Sequence, residues 1–366
     1  MKKLIIILIF PIIIYSQDIS HILKVYPDWK TNFSRSNVDF DELIGGGPPK
    51  DGIPAILQPK FETIADAKWW LDEVEPVIAV EQNGIAKAYP LQILIWHEIV
   101  NDFIGDTPLI VTFCPLCYSA IAFDRRVKNL YLTFGVSGLL RNSDLIMYDT
   151  LTHSFWQQFT GEAIVGDFTG SALKIIPSQI ISFEEFKLNF PNGKVLSKDT
   201  GFERPYGMNP YTGYDNIDTN PFMFKGKIDE RLSPNEKVIG IKLAGKGKAY
   251  PYSITKEKHV INDVIDSMRI VIFHSGETVS ALDRRMIKTS KNVGSTGAFI
   301  PKIGDEYLEF IYKDDNIWDK ETNSKWSVTG LCTEGEYKGK KLKRIISGDY
   351  FAFAWFAFMP NSKVYT

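Results

Sequence analysis

The stretch VIAVEQNGIAKAYP (residues 77–90) recurs as VIGIKLAGKGKAYP (residues 238–251), with half of its positions identical. Shorter motifs follow both copies in the same order: VND and IND, AFDRR and ALDRR, GVSG and GSTG, YDTLTHSFW and WDKETNSKW, FPNGKVL and MPNSKVY. An ordered repetition of this kind predicts two copies of one structural unit. We place the two modules at residues 77–196 and 237–366 and expect them to pack as a pseudo-symmetric pair.

Within each module the sequence pattern favours strands. The stretch 77–90 alternates around Asn83-Gly84, a strong hairpin signal, and PLIVTF, AIAFDRR and NLYLTFGVS also read as strands. Helices are predicted only over residues 65–72 and 182–189, and residues 91–100 fit either a helix or a strand. The fold class predicted is therefore α+β and β-rich, with two tandem homologous modules.

The remaining segments have distinct compositions. MKKLIIILIFPIIIYSQ begins with two lysines near an apolar run, so we interpret residues 1–16 as a signal peptide, followed by an N-terminal extension at residues 17–76. Residues 197–236 are rich in aromatic residues, Pro and Gly, and are too long for a simple loop. We expect them to be an ordered connection that packs over one face of a module. The protein is expected to be periplasmic or secreted.

Charge says little about partners. The chain has 366 residues, 42 basic and 44 acidic, for a net charge of -2. This balance gives no reason to expect nucleic acid as a partner. No transmembrane segment is expected after cleavage of the signal peptide, and the expected partner is a small molecule or an envelope component.

The repetition separates two kinds of residue. Groups that occur in both modules are most simply structural, because both copies need the same turns and core. Reactive groups found in only one module are better candidates for function. They are Cys114, Cys117, His97, Glu98, His153, Arg141 and Asp144.

The stretch TFCPLCYSA (residues 112–120) contains two of the three cysteines, Cys114 and Cys117. A strand, Cys-Pro-x-Cys and a returning strand is a pattern that aims two thiolates at one soft metal ion, here copper or zinc. The same pair could instead perform thiol–disulfide exchange in the periplasm, although the residues after Cys117 do not look like the helix that such enzymes use. A third possibility is a short structural disulfide or a pair of buried thiols.

The sequence suggests one further metal ligand, His97. If the chain forms a hairpin at Gly105-Asp106, the numbers of cross-strand partners add to 211, and His97 then faces Cys114. A hairpin at Asp266-Ser267 gives partners adding to 533, which pairs His259 with His274. The candidate metal site is therefore Cys114, Cys117 and His97.

Other polar and aromatic residues are candidates for ligand binding. Arg141 and Asp144 could bind a polar ligand or form an ion pair, and Arg204, Tyr206 and Tyr211 of the connection could form the wall of a site. A different class of function, a non-catalytic module that binds a glycan or another envelope component, would use exposed aromatic rings. The candidates are Trp69, Trp70, Tyr211 and Tyr214.

Several long runs together resemble the bacterial and archaeal family of domain of unknown function 3179. They are AYPLQILIWHEIVND, TFCPLCYSAIAFDRR, GVSGLLRNSDLIMYDTLTHSFWQQFTGEAIVG and DTGFERPYGMNPY. The resemblance extends from about residue 77 to the C-terminus. It implies that Cys114 and Cys117 belong to the family pattern, and it brings no activity or cofactor with it.

Overall fold

The computed structural model describes residues 18–243 and 245–366. The signal peptide predicted at residues 1–16 lies outside the described residues. Strands dominate the described part, and the helices are short. The fold is therefore β-rich with few helices.

Within residues 18–243 and 245–366 there are six α-helices of at most seven residues each: α1 (Ser20–Val25), α2 (Ile64–Ala67), α3 (Leu91–His97), α4 (Phe183–Asn189), α5 (Tyr252–Lys258) and α6 (Ala352–Phe358). Two 3-10 turns lie at Phe40–Glu42 and Ile287–Thr289. A membrane-spanning helix needs about 20 apolar residues, and no helix in the described ranges approaches that length.

The strands before the connection are β1 (Ile44–Gly45), β2 (Phe61–Thr63), β3 (Pro76–Gln82), β4 (Ile85–Pro90), β5 (Ile99–Ile104), β6 (Thr107–Cys114), β7 (Ser119–Asp124), β8 (Arg126–Val127), β9 (Leu130–Tyr131), β10 (Phe134–Arg141), β11 (Asp144–Asp149), β12 (Phe155–Gln157), β13 (Ala163–Val165), β14 (Lys174–Ile176), β15 (Ser178–Ser182) and β16 (Lys194–Leu196).

The strands after it are β17 (Lys237–Leu243), β18 (Lys246–Pro251), β19 (Val260–Ile265), β20 (Met268–Ser275), β21 (Ser295–Ile300), β22 (Lys302–Ile303), β23 (Glu306–Tyr307), β24 (Phe310–Lys313), β25 (Asn316–Asp319), β26 (Lys325–Trp326), β27 (Cys332–Glu334), β28 (Lys343–Arg344), β29 (Ser347–Phe351) and β30 (Lys363–Val364).

The hairpins predicted from the sequence are confirmed. Strands β3 and β4 pair around Asn83-Gly84, where both residues adopt positive φ angles of 52° and 77°. Strands β5 and β6 pair with Ile99 opposite Thr112, so partner numbers add to 211. Strands β19 and β20 pair with Val260 opposite Phe273, which adds to 533. Local turn chemistry was sufficient to set these registers.

The ambiguous stretch 91–100 is half helix and half strand. Pro90 is the N-cap of α3, which suits a residue without an amide hydrogen, and the helix ends at His97. Glu98 then adopts φ 57° and ψ −31°, and β5 starts at Ile99. The helix predicted at 182–189 is confirmed as α4, capped by the Ser182 side chain. The one predicted at 65–72 is shorter, since α2 ends at Ala67.

Strand order follows the same pattern before and after the connection. The order β15-β3-β4-β16 matches β29-β17-β18-β30, and β14-β7-β6-β5 matches β28-β21-β20-β19. The order β10-β11-β12-β13 likewise matches β24-β25-β26-β27. One hydrophobic core crosses both parts, and in it Tyr118 contacts Phe351 and Phe159 contacts Tyr350.

A polar triad ties each long hairpin to the next strand. The Asp102 carboxylate accepts hydrogen bonds from Lys87 Nζ (2.8 Å) and from the buried Tyr89 hydroxyl (2.7 Å). In the later part of the chain the corresponding triad is Asp263, Lys248 and Tyr250. The carboxylate therefore links two sheets through side chains that are shielded from water.

The connection at residues 197–236 contains turns and lies against both parts of the chain. The Tyr214 hydroxyl donates to the Leu116 carbonyl (3.0 Å) and Trp96 Nε1 donates to the Met208 carbonyl (3.1 Å). The Asn209 amide donates to the Arg285 carbonyl (2.8 Å). These contacts place its tyrosines beside the Cys-Pro-Leu-Cys turn.

We expect Asp102→Ala to lower the free energy of unfolding by about 2–3 kcal/mol, because it leaves the buried Tyr89 hydroxyl without its acceptor and the largely buried Lys87 ammonium with only the Phe103 carbonyl. Urea unfolding followed by circular dichroism measures the change. Asp305→Ala is the matched control, since Asp305 also pairs with a lysine, Lys302, but is itself fully exposed, and it should have no measurable effect. A loss no larger in Asp102→Ala than in this control would contradict the structural role of the triad.

Candidate metal centre

The two cysteines lie on a turn between adjacent strands. β6 ends at Cys114, which pairs with Ser119 at the start of β7. Tyr118 closes the turn with φ 55°, and its amide donates to the Pro115 carbonyl (3.4 Å). Cys114 and Cys117 are buried, and both are free thiols in the structure. The turn therefore points two unlinked sulfur atoms into the interior.

Asp144 completes a group of three. One ligand atom from each of Cys114, Cys117 and Asp144 lies within 4.8 Å of the other two, and all three residues are buried. The Cys117 thiol donates to Asp144 Oδ1 at 2.8 Å. Asp144 begins β11 directly after the β10–β11 turn, so it comes from a different sheet than the cysteines.

Amide groups orient the Asp144 carboxylate. Its Oδ2 accepts hydrogen bonds from Gln157 Nε2 (2.6 Å) and from the Phe159 backbone amide (2.9 Å). On the other side, the Ser119 hydroxyl lies 3.2 Å from Cys117 Sγ and donates to Gln158 Oε1 (2.6 Å). Hydrogen bonds of this kind, from residues that surround the ligand residues, hold ligand atoms in place and are typical of metal sites.

Burial controls the protonation of these groups. It raises the pKa of both thiols, and the charge of Asp144 raises them further. Burial also raises the pKa of Asp144 to about 6, against the opposing effect of its hydrogen bonds. A redox-active thiol has instead a lowered pKa and some exposure. Cys114 and Cys117 differ from such a thiol in both their burial and the direction of their pKa shifts.

His97 lies outside this group of three. As the last residue of α3 it has Nδ1 at 2.7 Å from the Pro54 carbonyl oxygen and Nε2 at 2.7 Å from the Tyr206 hydroxyl. The prediction that it faces Cys114 assumed that the strand continued back to residue 97. The backbone pairing instead stops at Glu98, whose carbonyl accepts from the Phe113 amide, and the helix takes His97 out of the strand register.

The histidines of the second predicted pair are neighbours. The His274 amide donates to the His259 carbonyl (2.8 Å), as the register predicted. His274 is buried, and its ring nitrogens contact the Thr255 hydroxyl and the Val293 carbonyl. The His259 ring stacks on Tyr312. Glu98 occupies the corresponding place before the connection.

The other candidate residues are dispersed. Arg141 donates to Glu42 (2.8 Å) and, at 3.4 Å, to Gln157, which in turn holds Asp144. Arg204 is exposed, whereas Tyr206 is part-buried and its hydroxyl contacts His97 and Thr200. His153 accepts from the Lys30 amide (3.2 Å). None of these four side chains belongs to the three-residue group.

The aromatic candidates also differ in exposure. Trp69 is 82% exposed, whereas Trp70 is partly buried and donates to Glu62. Tyr211 and Tyr214 are partly buried and line a cavity next to the cysteine turn. They do not form one continuous exposed aromatic surface with Trp69.

The chain matches a known protein family. The family described as Protein of unknown function (DUF3179) matches residues 50–362, which include the cysteine turn, Asp144 and the connection. The chain belongs to this family. No curated protein and no solved structure matches it.

We expect the thiols of the native protein, kept in a chelator, to react with Ellman's reagent at pH 7 at least 100-fold more slowly than in the urea-unfolded chain. Burial excludes the reagent, and a raised pKa leaves less thiolate at neutral pH than an ordinary cysteine has, so the rate should keep rising with pH beyond the range in which an ordinary cysteine becomes fully ionised. One fast-reacting thiol near neutral pH would instead indicate a redox pair.

Proposed function

We propose that this protein binds a soft transition metal ion, zinc or copper, through Cys114, Cys117 and Asp144. The observation that carries the proposal is the convergence of three buried ligand atoms within 4.8 Å of one another. Ligand atoms of a tetrahedral zinc ion lie roughly 3.3–3.8 Å apart, given bonds of about 2.0–2.3 Å. The three side chains therefore need only small adjustments to share one ion.

The donor set favours a thiophilic ion. Thiolate sulfur selects zinc or Cu(I) over magnesium or calcium, and a carboxylate oxygen is compatible with zinc. Three protein ligands leave one position of a tetrahedral ion for water or another molecule. Sites with three protein ligands are typical of zinc ions that bind substrates, whereas purely structural zinc ions have four.

The charge balance also supports a cation. Cys114, Cys117, Asp144 and the nearby Glu98 all have raised pKa values, and the charge of Asp144 contributes to this for the other three. In the part of the chain that the structure describes, neither Glu98 nor Asp144 forms an ion pair. A divalent ion would replace the thiol protons and supply the missing positive charge.

We also propose that the chain contains two homologous modules and that only the first carries a metal site. The shared strand order and the repeated Asp-Lys-Tyr triad support this interpretation. A second shared feature also supports it. Asn101 forms two hydrogen bonds with the backbone of Phe134, and Asn262 forms the same two with the backbone of Phe310. At the end of β20, in the place of Cys114, the second module has Ser275.

The proposed location is the periplasm or the exterior of the cell, on the strength of the N-terminal sequence. In such a compartment exposed thiols are easily oxidised to disulfides. Burial of Cys114 and Cys117 would protect the thiolates there, and a bound ion would protect them further. The partner proposed for the open coordination position is a small molecule or an envelope component.

Titration of the reduced protein with Zn²⁺ in isothermal calorimetry tests the proposal. We expect one ion per chain, with at least a 100-fold loss of affinity in Cys114→Ser or Cys117→Ser and at least a tenfold loss in the isosteric Asp144→Asn. Affinity should rise with pH, because the thiols must lose protons to bind.

Cys332→Ser is the matched control. Cys332 is a third buried free thiol but lies outside the group of three, so its replacement should leave zinc binding unchanged. Near-ultraviolet circular dichroism of each variant checks that the fold is retained. Zinc binding that persists in the Cys114→Ser/Cys117→Ser double variant, or its absence from the unaltered protein, would overturn the proposal.

A further inference from the structure

A cavity of about 190 Å³ lies next to the candidate metal centre. Part of its wall is formed by Leu116, which lies between Pro115 and Cys117 in the turn, and by Leu140 of β10. The connection contributes Tyr211, Tyr214 and Phe222. Gly46, Pro48 and Ile53 of the N-terminal extension also line this space, and Phe222, at 49% exposure, borders the solvent.

Glu98 is the ionisable acid in this wall. Its side chain is buried, with 6% of the residue exposed. Its backbone amide and carbonyl are hydrogen-bonded to Leu94 and Phe113. Its carboxyl group, in contrast, has no hydrogen bond and no ion pair with any residue in the ranges 18–243 and 245–366. A buried carboxyl group of this kind is costly without a partner, so its position in a cavity wall points to a ligand.

The other walls indicate the chemistry of that ligand. Among the described residues, no Lys, Arg or His lines the cavity, and most of the side chains that line it are aliphatic. The rings of Tyr211 and Tyr214 also border it, and the Tyr214 ring is held by the hydrogen bond from its hydroxyl to Leu116. A carboxyl group combined with aromatic faces is a favourable environment for an ammonium group.

Size limits the ligand further. An apolar protein cavity of about 150 Å³ accommodates benzene. The cavity beside Glu98 is slightly larger and so admits one ring, or an aliphatic body of similar size, together with a short polar arm. Drug-sized ligands need pockets of about 300 Å³ or more.

We propose that this cavity binds a small primary amine, whose ammonium group pairs with the Glu98 carboxylate and whose apolar body contacts the leucine and tyrosine side chains. This inference goes beyond the metal site, since Glu98 is not among the three metal ligands and amine binding needs no metal ion. The proximity of the two sites would bring a bound amine next to the cysteine turn.

The electrostatics of Glu98 agree with this proposal. Burial and the charge of Asp144 raise its pKa to about 8, as expected of a carboxyl group that lacks a counter-cation. Tyr211 and Cys114 are the other titratable groups whose electrostatic interactions reach this region. All of these groups are acids, so the region lacks a positively charged group.

Calorimetry on the purified protein in chelator at pH 8 tests the proposal with three probes of nearly equal size: benzylamine, benzyl alcohol and benzoate. We expect one benzylamine per chain, bound at least tenfold more tightly than benzyl alcohol, and no binding of benzoate. In Glu98→Gln, benzylamine should bind no better than benzyl alcohol, while the affinity for benzyl alcohol stays within about twofold. An affinity for benzyl alcohol that is unchanged in this variant shows that the cavity is intact.

Glu75→Gln is the matched control, because Glu75 is another buried glutamate but lies outside the cavity; it should keep the preference for benzylamine. Cys117→Ser should also keep it, which separates this proposal from the metal site. Equal affinities for benzylamine and benzyl alcohol, a preference that survives in Glu98→Gln, or no binding of any probe would each overturn the proposal.

Discussion

The Asp144 carboxyl group is inaccessible to water and forms no ion pair within the described residues, yet it joins two sheets. Because an unpartnered buried carboxyl group is costly, the surrounding chain supplies donors from Cys117, Gln157 and the Phe159 amide. These contacts hold the turn between β6 and β7 against the start of β11. The geometry of the candidate metal centre depends on this single group.

The connection between the two parts of the chain acts on the same region. Tyr206 engages His97, Tyr214 donates to Leu116, and Tyr211 lines the cavity beside Glu98. Residues 197–236 thus have two roles, in that they join the parts of the chain and cover the cysteine turn. This explains why the segment is rich in aromatic residues, since a flexible linker would not need them.

Some contacts occur in both parts of the chain. Both long hairpins use an Asp-Lys-Tyr triad, and the helix that follows each hairpin is succeeded directly by a residue with positive φ, Glu98 in one case and His259 in the other. At that position His259 stacks on Tyr312, whereas Glu98 faces a cavity. The backbone conformation is therefore similar at Glu98 and His259, whereas the chemistry of the two side chains differs.

The sequence by itself determined the β-rich fold, the hairpins and their registers, the cap of α4, and the position of Cys114 and Cys117 on a turn between two strands. These features depend on interactions between residues close together in the chain, so turn residues and alternation specify them. Only the tertiary structure decided that Asp144, not His97, joins the cysteines. That choice depends on where α3 ends and on how the β11 sheet packs against the cysteine turn, which are contacts between distant segments that spacing along the chain does not encode.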